Sequence, residues 1–392
     1  MAKEKEEKIV KSGKLSVADM RKALNKKAGV NVSYDLLQDS PTNVKEWIPT
    51  GSTWLDSIIC RGKKAGIPVG KISEIAGLSS TGKSYIAAQI AANAQKMGIT
   101  PVIFDSESAI DPAFLEKAGC DLDNLLYIIA TSVEAVMENI EELLKTGTNK
   151  FLFIWDSLAM TPTVSDVEGD FNPNSSMAVK ARVLSKSFSK LIIPIAESQS
   201  TFLVLNQLKQ NIQPVDGAPR DSKYWTTIQK YNAPGGKSPV YAYSLRIWLT
   251  TPSGKDDFVN DDKGFRIGSS VKATLIKSRF GSQNRSCEFK ILWGDTVGVL
   301  DDESLFEAIK SSPHLDCGAW NTLKYSDNTE TKFRADDFVE QMKEPKFRTR
   351  VMELLDIEVI QKFDKREGDA SQYYEVIPKQ EKSSTQEEEL AD

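Results

Sequence analysis

The sequence predicts an α/β fold: a mostly parallel sheet with helices on both faces, extended by antiparallel strands, plus a small N-terminal arm and a small C-terminal domain. Three observations predict it. From Lys71 to Asn206, short apolar runs alternate with segments of helical period, the pattern of strand–helix–strand units with right-handed crossovers. Phe151-Leu152-Phe153-Ile154-Trp155-Asp156 is apolar on both faces, as a parallel strand covered on each side must be. After residue 240 helical signals stop, and Tyr243–Thr250, Val271–Lys277 and Ser286–Trp293 follow as three strands expected to be antiparallel.

Taken in order, residues 1 to about 30 are Lys-rich with interspersed Glu, and Ser16 caps an amphipathic helix through Leu24. Ser40-Pro41 to Pro49 is punctuation, and Ile48–Asp56 opens the globular part. Lys71–Ala76 is a strand; Tyr85–Met97 is a helix ending at Gly98. Strands follow at Val102–Asp105, Leu125–Ala130 and Phe151–Asp156, with helices from Asp111-Pro112 to Gly119 and from Ser132 to about Lys145. A helix from about Ser175 to Ser198 is expected to bend or break near Pro194, and Thr201–Asn206 is the next strand. Beyond Leu300 come a helix at Asp302–Lys310, a loop-rich stretch and a helix around Arg348–Leu355. The division is therefore an arm over 1–47, a core over 48–300, a small domain over 301–380 and an acidic tail over 381–392, expected to be disordered.

The whole chain narrows the class. It has 392 residues and a net charge of −5, which argues against wholesale nucleic-acid coating but leaves room for a local basic groove. Four cysteines lack metal-ligand spacing, and the single histidine, His314, has no metal-binding company, so neither zinc nor histidine catalysis is expected. Without a signal peptide or an apolar run of membrane length, a soluble cytoplasmic protein is expected, with no membrane partner.

The chemistry centres on Gly77-Leu78-Ser79-Ser80-Thr81-Gly82-Lys83-Ser84, a G-x-x-x-x-G-K-S phosphate-binding loop between a strand and the helix that begins at Tyr85. Its glycines let the backbone turn its N–H groups toward phosphates, and the helix end adds positive potential. Lys83 would meet the β- and γ-phosphates of a nucleoside triphosphate, and the Ser84 hydroxyl would bind Mg²⁺ with Asp156, which ends the most hydrophobic strand. Glu107, just past a neighbouring strand, is placed to polarise the attacking water, and Asp105 competes for that role. Asn206-Gln207 ends the next strand, and an amide at that point can bond the γ-phosphate. The long segment Leu208–Pro234 carries Lys209, Arg220, Lys223 and Lys230 beside Tyr224, Trp225 and Tyr231, cations and aromatics that suit single-stranded nucleic acid. The helix after Glu168–Ser176 adds Lys180, Arg182, Lys186 and Lys190. Lys277 and Arg279 end a late strand with no local partner in sequence; pairing with surface acids is their commoner fate.

The phosphate loop, Asp105–Pro112, Ile154–Ser157, Leu205–Gln207 and Leu275–Arg279 occur in the order and approximate spacing of RecA-type recombinases, which the chain resembles over about residues 45–300. Lys277-Ser278-Arg279 looks most like phage recombinases of the UvsX kind. The resemblance implies a RecA-like ATPase core and a DNA-dependent ATPase that forms filaments on single-stranded DNA and exchanges strands with duplex DNA. The arm would be its polymerisation region, and mediator and single-strand-binding proteins its partners; a phage-encoded chain would work in the host cytoplasm. The same resemblance favours Glu107 as the catalytic glutamate. Gln207 would couple the γ-phosphate to the second DNA loop. Asp111 and Phe114 would contact adenine, Met177 would be a wedge and Arg182 a phosphate contact in the first DNA loop. Lys277 and Arg279 would reach a neighbouring subunit's ATP. A hexameric RecA-fold helicase, a recombination mediator and a protein-binding regulatory ATPase remain alternatives.

Overall fold

The computed structural model describes residues 15–36, 40, 42–147, 149–169, 177–211, 230–252, 258–293 and 297–361. It divides into two units, Met1–Lys45 and Glu46–Asp392. In the first, helix α1 (Val17–Ala28) is capped by Ser16, whose side chain accepts from Asp19 N, and ends at Gly29. It buries none of its residues.

The second unit is built on a ten-stranded sheet. A ribbon of β1 (Trp47–Ile48) and β2 (Ile67–Pro68) encloses helix α2 (Thr53–Ile59). The sheet then uses β3 (Ile72–Gly77), β4 (Thr100–Asp105), β5 (Leu126–Ile129), β6 (Phe151–Asp156) and β7 (Thr201–Gln207). These alternate with helices α3 (Lys83–Lys96), α4 (Pro112–Lys117), α5 (Val133–Lys145), α6 (Val164–Glu168) and α7 (Met177–Glu197). After the two-residue strands β8 (Lys209–Gln210) and β9 (Tyr231–Asn232) come helix α8 (Lys237–Ala242) and strands β10 (Leu245–Thr250), β11 (Phe258–Asn260), β12 (Arg266–Ser278), β13 (Ser286–Trp293) and β14 (Val297–Val299). The strand order is β14-β13-β12-β10-β3-β7-β6-β4-β5, with β11 beside β12.

Six strands, from β10 to β5, are mutually parallel. The expected antiparallel run is present, since β10 pairs antiparallel with β12 and β12 with β13, and β10 joins that run to the core by pairing parallel with β3. All six residues of β10 are buried, the two-sided burial of a covered parallel strand. Alternate strand residues feed two apolar layers: Ile75, Ile103, Ile154 and Leu205 pack under α3, and Phe104, Phe153, Trp155 and Phe202 under α5 and α7. Each such large side chain, wholly buried, contributes about 1.5–3 kcal/mol.

Helix α7 continues through Pro194 instead of breaking there. Pro194 lies in its last turn, where the loss of one helical hydrogen bond leaves the rest of the helix intact. Residues from 301 form α9 (Asp301–Ile309), a three-stranded antiparallel sheet of β15 (Leu315–Asp316), β16 (Asn321–Lys324) and β17 (Glu330–Phe333), and helices α10 (Phe338–Gln341) and α11 (Pro345–Leu355). The stretch expected to be loop-rich thus holds a small sheet, and its Leu323, Phe333 and Phe347 join the same apolar layer as α2 and β13. No helix among the described residues is long and apolar enough to cross a membrane.

Candidate functional site

Parallel strands bring their C-terminal ends to one edge of a sheet, where loops and helix N-termini gather. Register aligns Gly77 with Gln207 and Asp105 with Asp156 along that edge. Between β3 and α3, the phosphate loop is held open by its own backbone. Gly82 has φ 77°, and a Cβ there would meet Ile291 Cδ1 at 2.5 Å; a Cβ on Gly77 would meet Thr81 Oγ1 at 2.5 Å. Both positions therefore need glycine. Thr81 Oγ1 and Lys83 Nζ each donate to Leu78 O at 2.8 Å, fastening the loop across its turn. No side chain caps α3, so its N-terminus faces the loop uncapped.

Ser84 Oγ donates to Asp156 Oδ2 at 2.8 Å. Burial raises the Asp156 carboxyl; Ser84's hydrogen bond lowers it, and Glu107 and Asp105 raise it further. Burial also lowers the Lys83 amine, with Asp156 and Glu107 opposing. A hydroxyl and a desolvated carboxylate, both hard oxygen donors beside open space, match the chemistry of Mg²⁺.

The two rival carboxylates differ in surroundings. Asp105 is buried and fully engaged: Oδ1 accepts from Glu107 N at 2.9 Å, and Oδ2 from Ala109 N at 3.0 Å, Ile110 N at 3.2 Å and Tyr127 OH at 3.0 Å. It organises the loop that carries its rival. Glu107 is exposed, and its Oε1 accepts from Ser157 Oγ at 3.3 Å and Gln207 Nε2 at 3.4 Å. The Asp156–Ser157 peptide is cis. Adjacent strand residues face opposite ways, so Gln207 faces the cavity while Asn206 turns inward to Glu74 Oε1 at 3.1 Å and Pro234 O at 2.8 Å. Glu74 in turn pairs with Arg246 Nε at 2.6 Å inside the sheet.

A cavity of about 570 Å³ opens here, lined by Ser79, Ser80, Lys83, Ser84, Asp105, Glu107, Ile110, Asp111, Phe114, Asp156, Ser157 and Gln207, among others. Its size suits a nucleotide. Asp111 caps α4, and Phe114 meets the buried Tyr85 edge-on with ring centroids 6.0 Å apart. Tyr85 itself, like Gly77, Leu78, Thr81 and Gly82, supports the wall without lining it.

Lys277 and Arg279 lie outside this lining. Lys277 Nζ donates to Val240 O at 2.6 Å and Arg279 to Tyr241 O at 2.7 Å, both near the C-terminal end of α8. Burial, then Arg279 and Arg246, lowers the Lys277 amine to about 8. Of the nucleic-acid candidates, Lys209 is exposed on β8, Lys230 is half-buried before β9, and Arg182 is exposed on α7. Two cations of the α7 face are otherwise engaged: Lys180 Nζ donates to the carbonyls of Leu158, Ala159 and Thr161, and Lys190 pairs with Glu141. Met177 begins α7, but its side chain lies outside the described residues, as do Arg220, Lys223, Tyr224, Trp225 and the tail 381–392. Sequence reasoning missed the Glu74–Arg246 pair, although opposite charges in two otherwise apolar strand runs are a readable signal.

Residues 15–298 match the family model of the RecA N-terminal domain. The chain is 30% identical to Protein RecA of Bifidobacterium breve over 292 residues, 74% of this chain and 68% of that one. Against Protein RecA of Symbiobacterium thermophilum it is 30% identical over 274 residues, 69% of this chain and 70% of that one. Protein RecA of Streptomyces avermitilis is 28% identical over 308 residues, 77% of this chain and 74% of its own. The likeness to phage recombinases rests on Lys277-Ser278-Arg279 alone.

Proposed function

The chain belongs to the RecA family of recombinases, and from that premise we propose how its own residues divide the work. Members of the family are DNA-dependent ATPases that pair homologous strands in recombination and repair, using ATP and forming filaments on DNA. The observation that carries the reading is the convergence of Lys83, Ser84, Asp156, Glu107 and Gln207 on one cavity.

In this reading Lys83 and the phosphate-loop amides hold the phosphates of ATP. Ser84 and Asp156 would hold Mg²⁺, which supplies charge neutralisation to the phosphates when bound. Glu107 accepts a proton from the attacking water as general base, with Ser157 and Gln207 orienting its carboxylate. Asp111 and Phe114 form the base-facing wall. Lys277 and Arg279 serve the ATP of a neighbouring copy, which fits their position away from the cavity of their own chain.

Arg182, Lys209 and Lys230, with Met177, Arg220, Lys223, Tyr224 and Trp225, are proposed to line the DNA path, phosphate contacts and stacking surfaces together. The unit Met1–Lys45 is proposed as the polymerisation arm, since α1 leaves Val17, Met20 and Leu24 exposed. Residues 301–380 are proposed as a small C-terminal domain and 381–392 as a tail. The cytoplasm is the proposed compartment, and mediator and single-strand-binding proteins the further partners.

The test is ATP hydrolysis with and without single-stranded DNA, with electron micrographs of the same samples. DNA-stimulated hydrolysis with open helical filaments is expected, abolished by Lys83→Ala. Closed rings would favour a helicase, and indifference to DNA a regulatory ATPase.

A further inference from the structure

Asn206 is wholly buried beside Gln207, and each polar atom of its side chain is engaged. Nδ2 donates to Pro234 O at 2.8 Å and Glu74 Oε1 at 3.1 Å; Oδ1 accepts from Gln207 N at 3.0 Å. Chemistry dictates this orientation: a carbonyl and a carboxylate only accept and a backbone N–H only donates, so a reversed amide would make all three contacts repulsive. Arg246 fixes Glu74 in turn.

Pro234 ends the segment that begins right after Gln207. At the near end, Leu208 N donates to Gly77 O at 2.9 Å, the first glycine of the phosphate loop. The two ends are zipped by the β8–β9 ladder and by Asn211 N to Lys230 O at 2.8 Å. Leu208, Tyr231 and Ala233 of this stem pack with Leu78, Trp248 and Ile276 in a small apolar cluster. Entry and exit of the segment therefore share one buried anchor. It is one residue from the amide facing the cavity, and Leu208 is bonded directly to the phosphate loop.

We propose that Asn206 is a positioning residue that locks the stem of the 208–234 segment to Gln207, so that nucleotide state and DNA grip are set together. The inference rests on the functional reading above, in which that segment meets DNA. The two strand-end amides divide the work: Gln207 faces the nucleotide, and Asn206, turned the other way by strand alternation, holds both ends of the DNA-facing segment to it. Aspartate would set a carboxylate against Glu74 and a carbonyl, and serine is too short to reach both acceptors. Linkage requires the coupling to be reciprocal: whatever factor nucleotide adds to DNA affinity, DNA adds to nucleotide affinity.

The test uses the full chain and Asn206→Ser, measuring binding of a fluorescent single-stranded oligonucleotide with and without a slowly hydrolysed ATP analogue. In the unmodified chain, nucleotide should tighten DNA binding by roughly 5–150-fold, the usual size of such couplings. In Asn206→Ser the tightening should fall to about twofold or less, with DNA affinity without nucleotide and nucleotide affinity without DNA each kept within about twofold. Full tightening in the variant overturns the inference. So does loss of both separate affinities, which marks a merely structural role. Should the variant not fold, hydrogen exchange in the unmodified chain decides: peptides covering 206–211 and 230–236 should slow together when the analogue binds without DNA. A response in only one of them overturns the proposal. An unmodified chain whose DNA affinity ignores nucleotide overturns the functional reading itself, and this inference with it.

Discussion

Asp105 and Glu107 stand two residues apart at one strand end, and replacing each carboxylate by its amide separates an organiser from a base. Glu107→Gln disturbs an exposed group whose two hydrogen bonds are long, at 3.3 and 3.4 Å. It also removes one of the negative charges that raise Asp156. Stability should stay within about 0.5 kcal/mol of the parent. Loss of a general base, by contrast, costs about 10²–10⁴ in kcat, equivalent to about 2.7–5.4 kcal/mol of barrier. For Asp105→Asn the balance reverses. Its two oxygens accept four hydrogen bonds, three of them from backbone amides. Whichever way the new amide turns, its NH₂ meets at least one N–H donor. The broken charged bond alone is worth about 1.5–3 kcal/mol, and the loop bearing Glu107 and Asp111 loosens with it. The assay is DNA-stimulated steady-state ATP hydrolysis beside thermal melting and binding of a fluorescent nucleotide. Glu107→Gln should bind nucleotide, melt normally and turn over poorly; Asp105→Asn should melt early, with KM raised. A Glu107→Gln protein hydrolysing near the parent rate, or an Asp105→Asn protein that melts normally but is dead, would refute the division of roles.

Arg246→Ala should destabilise the chain by about 3–5 kcal/mol in urea titrations, because it strands Glu74, whose side chain is 2% exposed, without its partner. Glu74→Gln with Arg246→Met should recover most of that loss, and equal damage from the double replacement would show that packing, not the stranded charge, was at stake. Lys277 supplies a pH test: its amine is lowered from the usual 10.5 to about 8, burial first and then Arg279 and Arg246. The charge is thus present below about 8 and lost as pH rises through it. ATP-dependent assembly on DNA should fall from pH 7.5 to 9, and Lys277→Arg should flatten that fall. Fold stability moves the other way, because a lysine with a depressed folded value penalises the fold below that value and releases the penalty as pH rises toward 10.5. Assembly and melting temperature falling in parallel would therefore argue against Lys277 as the titrating group.

Much of the fold was legible because its signals are local. Short apolar runs and period-3.6 segments marked β3 to β7 and helices α3, α4, α5 and α7, and the eight-residue loop marked the site. Strand direction is not local, which is why Leu245–Thr250, antiparallel to β12 as expected, gave no separate sign of its parallel pairing with β3. Its burial on both faces is nonetheless the mark of a covered parallel strand, whereas β13 alternates buried with exposed positions, as a half-solvated antiparallel strand does. At Pro194 the expected break is absent, because the proline falls in the last turn of α7 and the helix runs on to Glu197.

Choosing between adjacent polar residues needed the third dimension. Asp105 against Glu107 and Asn206 against Gln207 are alike in composition, and only the backbone around them decides which turns inward. In each case the inward residue is saturated by backbone and buried partners, and the outward one keeps long, easily exchanged bonds at the cavity. That division has a physical reason. A group that must respond to a changing phosphate cannot also hold the loop that carries it, since every shift would then melt its own support. In the proposed function, pairing a rigid anchor with a free neighbour separates the group that meets the ligand from the group that holds its support, over a sheet whose inner strands are hydrogen-bonded on both sides.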